Sequence, residues 1–212
     1  MRELRPGLWH WEAEHPEWTP GEPWQPWHKV VSSYAVDEGE HLLLFDPLAV
    51  PPEIEERAIG REPVIVLTAP WHERDARSLV ERLDATVFAP RPDTREDLMR
   101  KYGLTAEEAA PGCPDLAWLL ADDSIQKHLF AVGDRLPFGI EVLAGREHND
   151  VLLWFEARRA LIVGDSLGDF GRGLEVNPKW RDRGATPELP VEIVLTAHSG
   201  PADRAALDRA LS

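Results

Sequence analysis

Histidines and carboxylates follow apolar, strand-like runs at three places in this 212-residue chain. Asp165 directly follows one such run, His198 follows another, and His148 stands in a turn after a third. Imidazole and carboxylate groups at strand ends are suitable ligands for a borderline cation such as zinc. Each residue also has a simpler interpretation as a turn or loop residue, because turn-forming Gly, Asn, Asp or Pro stands close to all three.

The segment Thr68–Asp75 holds a second group of reactive side chains. It leads from a predicted strand into an amphipathic helix predicted at His72–Leu83. His72 is either a metal ligand or an ordinary residue in the first turn of that helix. Glu73 and Asp75 are candidate general bases, although the helix dipole favours carboxylates at a first turn in any protein.

The elements that must position these side chains are mainly strands. Short, apolar, β-branched runs bounded by Gly, Pro or Asp predict them. The predicted strands are Leu8–Trp11, Val30–Val36, His41–Asp46, Pro63–Thr68, Thr86–Ala89, His128–Val132, Ile140–Ala144, Val151–Phe155, Ala160–Gly164 and Val191–Thr196.

Further helices are predicted at Thr94–Tyr102, Thr105–Ala110 and Pro201–Leu211, the second from a Thr105–Glu108 capping box. The runs 36–41 and 155–160 are typical of hairpin turns, which require antiparallel pairing. We therefore expect two sheets packed against each other with helices outside, rather than one doubly wound parallel sheet.

Composition limits the class of protein. A length of 212 residues with 43% hydrophobic residues predicts a single domain spanning 1–212. The formal net charge of −15 and the lack of any basic run argue against a nucleic-acid partner. No apolar run is long enough to cross a membrane. The single cysteine, Cys113, excludes an internal disulfide, and we expect a cytoplasmic protein, with a homodimer left open.

Several motifs in order resemble the metallo-β-lactamase fold superfamily, which covers glyoxalase II-like thioesterases, lactonases and many uncharacterised hydrolases. The resemblance runs over nearly the whole chain. The motifs are Leu42-Leu-Leu-Phe-Asp46-Pro47-Leu48, Val64-Ile-Val-Leu-Thr68, Gly133-Asp134, Ala160-Leu-Ile-Val-Gly-Asp165 and Ile193-Val-Leu-Thr-Ala-His198-Ser-Gly200-Pro201. The resemblance implies a four-layer αβ/βα sandwich of the α/β (α+β) class.

The resemblance also implies roles for individual residues. His148 would be a ligand of a first metal, Asp165 the carboxylate that bridges two metals, and His198 a ligand of the second. A metal pair of this kind would activate a water molecule and polarise a scissile carbonyl.

The family's T-H-x-H-x-D-H signature is degenerate here. Aligned without a gap, Ala69 and Trp71 replace its first two histidines, and Glu73 and Arg74 take its last two positions. Slipped by one residue, the alignment recovers His72 as a ligand, but neither alignment gives the complete set. The sequence therefore predicts at most one zinc ion, weakly bound or absent.

Tryptophans and prolines are concentrated near the N-terminus. Prolines at this density prevent a regular helix or central strand. The rings of Trp18, Trp24 and Trp27 either cover exposed core or, together with Trp71, line a pocket for a small-molecule substrate.

Two functions remain open from the sequence. The first is a divergent hydrolase of a small ester, thioester or lactone-like substrate, with His72, His148, Asp165 and His198 as metal ligands and Glu73 or Asp75 as base. The second is a metal-free, non-catalytic binding or regulatory protein on the same scaffold. In the second, Arg74 would form an ion pair with Asp165 and replace the missing cation.

Overall fold

Two β-sheets account for most of the strands in the computed structural model, which describes residues 1–20, 29–169, 171–181, 184 and 186–212. The first sheet contains β1 to β7 in chain order, and the second has the order β15-β14-β11-β10-β9-β8. A small hairpin pairs β12 with β13. The strands are β1 Arg2–Arg5, β2 Leu8–Glu14, β3 Val30–Glu38, β4 His41–Phe45, β5 Glu62–Val66, β6 Thr86–Pro90, β7 Lys127–Phe130, β8 Arg135–Leu136, β9 Ile140–Glu147, β10 Asp150–Phe155, β11 Ala160–Val163, β12 Leu167–Asp169, β13 Leu174–Val176, β14 Ile193–Thr196 and β15 Ala202–Asp203.

The helices lie between the strands and are short. They are α1 Pro52–Ala58, α2 Ala76–Leu83, α3 Arg95–Tyr102, α4 Ala117–Ala121 and α5 Arg204–Leu211, with 3-10 turns at Pro70–His72, Pro137–Gly139, Glu156–Arg158 and Thr186–Glu188. A complete capping box at Thr94 and Asp97 begins α3, as residue types at these positions favour. Among the described residues, no helix has the length and apolarity needed to span a membrane.

Alternating side chains produce the layers. Leu43 and Phe45 of β4 belong to a core between the two sheets, while Leu42 and Leu44 belong to a second core beneath α1, α2 and α4. Strand β10 alternates in the same way between the central core and a third core that includes Leu207 of α5. Because successive side chains of a strand point to opposite faces, both sheets are covered on both sides. The expected four-layer αβ/βα sandwich is confirmed.

The two sheets also meet along their edges, through main-chain hydrogen bonds. The Ser32 amide donates to the Ala197 carbonyl at 2.9 Å, and the Val151 amide donates to the Thr68 carbonyl at 2.9 Å. These bonds lie beside the ends of β4, β5, β11 and β14, where the predicted reactive residues follow. The ends of strands from both sheets are thereby held together at one place.

Most predicted strands agree with the structure to within three residues at each end. The predicted helix at Thr105–Ala110 is wrong: its capping box forms, with the Thr105 amide donating to Glu108 at 2.8 Å, but the segment is a turn. Gly112 and Pro114 follow at once, so the turn does not continue into a helix. The sequence does not predict helices α1 and α4, since five to seven residues show too little periodicity to detect.

Candidate metal centre

His72, Asp165 and His198 meet at this edge, although 126 residues separate the two histidines in the chain. The Nε2 atoms of the histidines are 3.3 Å apart. Asp165 Oδ1 lies 3.4 Å from His72 Nε2 and 2.8 Å from His198 Nε2. His72 comes from the first half of the chain, and the other two residues follow β11 and β14 of the second sheet. We refer to these three residues as the His-Asp-His cluster.

A buried carboxylate orients His72. Asp46 follows β4 and is 3% exposed, and its Oδ2 lies 3.1 Å from His72 Nδ1. Thr68 holds the same carboxylate, because its amide donates to Oδ1 at 2.8 Å and its hydroxyl to Oδ2 at 2.5 Å. With Nδ1 directed at Asp46, the Nε2 of His72 is left to face the cluster.

Electrostatics around His72 favour its charged form in the absence of a metal. Burial disfavours the imidazolium, but the carboxylates of Asp46 and Asp165 outweigh it and raise the pKa of His72 to about 9. The pKa of Asp165 is held well below its usual range, since the neighbouring His198 and His72 stabilise the carboxylate against the penalty of burial. In the absence of a metal, these surroundings favour an ionised Asp165 beside a protonated His72.

The second oxygen of Asp165 faces a different cation. Asp165 Oδ2 accepts from Arg146 Nη2 at 2.6 Å and from Trp71 Nε1 at 3.0 Å. The Arg146 guanidinium also donates through Nε to Asp150 Oδ2 at 3.0 Å. Ser166 Oγ donates to that Asp150 oxygen at 2.8 Å. Burial and the adjacent Asp165 charge raise the pKa of Asp150 to about 6.

Two glycines permit this close packing. A Cβ on Gly145 would lie 1.8 Å from the Asp150 carbonyl oxygen, and one on Gly164 would lie 2.6 Å from Asp150 Oδ1. The Cβ on Gly145 would meet main chain, and the Cβ on Gly164 would meet a fully buried carboxylate. Neither steric clash can be relieved unless Asp150 shifts. Any larger residue at these positions would displace Asp150 and, with it, the guanidinium of Arg146.

The expected ion pair between Arg74 and Asp165 is wrong; Arg146 pairs with Asp165 instead. Arg74 has a positive φ of 41° and is directed at main-chain carbonyl groups. Its Nη1 donates to the carbonyl oxygens of Ser32 at 2.7 Å and Asp46 at 2.6 Å, and its Nη2 donates to that of Ala197 at 3.1 Å. Arg74 thus ties together the segments that end β4 and β14 and the start of β3, and is not placed to act on a substrate.

His148 does not join the cluster, contrary to the expectation from the resemblance. It lies in the hairpin turn after β9, 43% exposed, with Nε2 3.4 Å from Asp93 Oδ1. Asp93, Asp97 and His148 form a separate group of metal-ligand type. Its buried carboxylate is already neutralised, since Lys101 Nζ lies 2.7 Å from Asp93 Oδ1.

The candidate bases Glu73 and Asp75 are directed away from the cluster. Glu73 Oε2 accepts from Trp118 Nε1 at 2.9 Å and from the Leu116 amide at 3.1 Å, which fixes the start of α4. Asp75 Oδ2 accepts from the Ala49 amide at 2.6 Å. Both carboxylates therefore hold loops, and the expectation that one of them serves as the base is not supported by their contacts.

Of the four tryptophans predicted to bind substrate, Trp71 lies at the cluster. Its ring packs edge-on to His72, with centroids 6.3 Å apart, and under the guanidinium of Arg146 at 5.4 Å. Trp18 is partly buried in the segment after β2. Trp24 and Trp27 lie outside the described residues, and their role stays a prediction.

The donor atoms of the cluster fit a single metal ion. Zinc bonds of about 2.0–2.1 Å in a tetrahedral site place neighbouring ligands about 3.3–3.4 Å apart. The distances from His72 Nε2 to His198 Nε2 and to Asp165 Oδ1 are 3.3 and 3.4 Å and match this spacing. Asp165 Oδ1 and His198 Nε2 are 2.8 Å apart, in direct contact, and would have to separate by about half an ångström to hold the ion. Two imidazoles and one carboxylate are also a donor set used for zinc and non-haem iron, and the contact from Asp46 to Nδ1 is the outer support that such histidines require.

Sequence reasoning misses Asp46 and Arg146 as functional residues. Asp46 is recognisable there only as part of an Asp-Pro turn, although a buried strand ending in Asp beside a histidine-containing segment is a usable signal. Arg146 lies in β9, two residues before His148 in the turn that follows, and no residue pattern indicates that Arg146 rather than His148 faces Asp165.

No family model and no curated protein matches the sequence, whereas comparison of the structure with solved structures gives clear matches. A metallo-beta-lactamase family protein from Thermus thermophilus has a TM-score of 0.56 and 16% identity over 98% of this chain and 78% of its own. A metallo beta lactamase from Hirschia baltica has a TM-score of 0.55 and 14% identity over 99% and 95%. TTHA1623, solved in a di-iron-bound form, has a TM-score of 0.54 and 23% identity over 85% and 93%. The chain therefore has the metallo-β-lactamase fold, with a sequence that is 14–23% identical to these neighbours.

Proposed function

We propose that this protein is a hydrolase that binds one metal ion at the His-Asp-His cluster and acts on a small ester, thioester or lactone-like substrate. The observation that carries the proposal is the spacing of the three donor atoms, all within 3.4 Å of one another, with His72 oriented by a buried carboxylate. The di-iron form of TTHA1623 supports the proposal, because it is a neighbour of the same fold that holds metals.

A single ion is proposed because of Arg146. A carboxylate can bridge two metals through both of its oxygens or through one. Asp165 Oδ2 is bonded to a guanidinium and an indole N–H, which blocks the first mode. The guanidinium is permanently charged, so a second cation beside it would be repelled. The degenerate sequence motif and the displaced His148 agree with a mononuclear site.

When bound, the metal would supply Lewis-acid polarisation of the scissile carbonyl and a lowered pKa for a coordinated water. The chain's own residues prepare the site for this. Asp46 accepts a hydrogen bond from Nδ1–H of His72, so that the lone pair of the imidazole lies on Nε2, which faces the cluster. Trp71 and Arg146 hold Asp165 Oδ2 and leave Oδ1 facing the histidines. The partial burial of the cluster limits access of bulk water and strengthens these interactions.

The second candidate is the metal-free, non-catalytic binding or regulatory protein. The observation in its favour is that the charges at the cluster are paired without a metal, since Arg146 pairs with Asp165 and His72 with Asp46. In this case Arg146 takes the part that the sequence assigned to Arg74. A small-molecule ligand, a cytoplasmic location and a single domain of residues 1–212 are proposed for both candidates.

Metal analysis of protein purified without a chelator or an affinity tag separates the two candidates. The hydrolase proposal requires about one equivalent of zinc or iron per chain, and the metal-free candidate requires none. The hydrolase should also release product from 4-nitrophenyl acetate, S-phenyl thioacetate or γ-butyrolactone in proportion to metal content. His198→Ala should abolish both, whereas His128→Ala, which changes an exposed histidine, should abolish neither. Two tightly held metals would refute the mononuclear site, and activity that is independent of loading would refute the metal's role.

A further inference from the structure

One edge of the Arg146 guanidinium is fully bonded and the other is open. Nε donates to Asp150 and Nη2 to Asp165, at 3.0 and 2.6 Å. Nη1 has no hydrogen-bond partner among the described residues, and it is not one of the fully buried atoms. The side chain is 17% exposed. Nη1 therefore offers N–H donors to a molecule that enters beside the His-Asp-His cluster.

This guanidinium is held rigidly in place. The Arg146 amide donates to Ser166 Oγ at 2.8 Å, and Ser166 in turn donates to Asp150, so main chain and side chain are fixed by the same group. The Trp71 ring lies under the guanidinium plane. A cation fixed before the substrate arrives loses little conformational entropy on binding and stabilises developing charge without rearrangement.

Of the two guanidinium groups at this edge, Arg146 is the one available to a substrate. Arg74 is half-buried like Arg146, but both of its terminal nitrogens are already bonded to main-chain carbonyl groups. Since the whole chain has a formal net charge of −15, a local cation is needed for an anionic group to be stable at the site. Arg146 is bonded to one oxygen of Asp165, and the other oxygen of the same carboxylate faces His72 and His198.

We infer that Arg146 is a catalytic residue that binds the oxyanion formed from the scissile carbonyl, through Nη1. The inference rests on the proposed function and adds the group that stabilises its transition state. As water adds to the carbonyl carbon, a C–O bond forms and the π electron pair moves to the carbonyl oxygen, which Nη1–H donors then bind. The electron pair returns as the bond to the alkoxide or thiolate breaks. The proton lost by the water balances the one that the leaving group takes from solvent.

The test compares kcat and KM for zinc-loaded wild type, Arg146→Gln, Arg146→Lys and Arg146→Ala with 4-nitrophenyl acetate. Loss of one oxyanion donor typically lowers kcat by about 10²–10³-fold, so Arg146→Gln should show a fall of this order with little change in KM. Arg146→Lys should be intermediate, and added guanidinium chloride at a non-denaturing concentration should restore part of the activity of Arg146→Ala. Arg77→Gln, which removes an exposed arginine of α2, is the matched control and should match wild type.

A binding measurement tests the same site without catalysis. Methylphosphonate is a tetrahedral anion that resembles the intermediate, and calorimetry should show binding to wild type that is at least about tenfold weaker in Arg146→Gln but unchanged in Arg77→Gln.

The outcomes distinguish this inference from the proposed function. An unchanged kcat in Arg146→Gln, or a rise in KM alone, would overturn the inference and leave the hydrolase intact. Loss of zinc together with activity in Arg146→Gln would also overturn it, because Arg146 would then only hold Asp165 in place. If loaded wild type hydrolyses no ester, yet methylphosphonate binds through Arg146, the hydrolase proposal fails and the anion site is supported.

Discussion

Replacing Arg74 tests whether a half-buried arginine, rather than a metal, holds the strand ends together. Arg74→Ala removes charge-assisted hydrogen bonds to the carbonyls of Ser32, Asp46 and Ala197. Each such bond contributes about 1.5–3 kcal/mol. The net loss of stability is smaller than the sum of these bonds, because removing the half-buried cation also removes its desolvation penalty, which is itself several kcal/mol. The carbonyls of Asp46 and Ala197 keep a second donor each, at 2.7 and 2.9 Å. We expect a net loss of about 3–5 kcal/mol in the free energy of unfolding.

The backbone of Arg74 provides an internal comparison. Its φ of 41° is unfavourable for any residue with a Cβ, by about 1–2 kcal/mol. Arg74→Gly removes the same side chain but relieves this strain, so it should be about 1 kcal/mol more stable than Arg74→Ala. An exposed arginine of α2 serves as the control: Arg82→Ala breaks a pair with Glu55 and should cost less than about 1 kcal/mol.

Urea unfolding in metal-free buffer measures all three variants, with thermal melting as a second probe. For a chain of this size, a loss of about 3–5 kcal/mol corresponds to a fall of roughly 6–20 °C in melting temperature. A loss below about 1 kcal/mol in Arg74→Ala would refute the structural role, since the loss of three part-buried, charge-assisted hydrogen bonds should destabilise the fold by more than this. A glycine variant less stable than the alanine variant would refute the argument from backbone strain.

Three further predictions concern histidines. Asp46→Asn should weaken zinc binding about 10–100-fold in a competition with a chromophoric chelator, because the amide no longer orients His72 as a carboxylate does; unchanged affinity would exclude Asp46 as a support. His148→Ala should leave the zinc content and affinity unchanged, and any loss of metal would restore this residue to the ligand set. Stability should fall by up to about 3 kcal/mol as the pH drops from 6.5 towards 4, because burial lowers the pKa of His10 from 6.5 to about 4 and the folded state resists its protonation. Above pH 6.5 this contribution is fully present, and chemical unfolding at several pH values should show a flatter profile in His10→Gln.

The layers were predictable from sequence because the strand-like runs are apolar at successive positions, which requires cover on both faces, and because the hairpin turns require antiparallel pairing. In the structure, successive residues of β4 and β10 accordingly alternate between two cores. The order of strands and motifs then led to the correct sandwich and to Asp165 and His198 at one edge of it. The third residue expected there was His148, whereas the structure has His72, whose role the sequence left open.

The metal ligand sets could be predicted less well, because they depend on where a strand ends. Strand β9 continues to Glu147, three residues beyond the predicted end at Ala144. A register shift at Asp150 then turns His148 outwards, while Arg146 remains beside Asp165. The direction of Arg74 depends on a positive φ, which a residue that is neither Gly nor Asn gives no reason to expect.

The separation of His72 from His198 by 126 residues has a consequence for the order of folding. Contacts between distant parts of a chain carry a large loop-closure cost and form after local hairpins and helices. The first sheet can pair its neighbouring strands in sequence, but the cluster exists only after β11 and β14 have docked against it. A metal that binds the cluster would then stabilise the docked state by mass action and leave earlier states unaffected. Zinc should accordingly slow unfolding while leaving the first refolding phase unchanged.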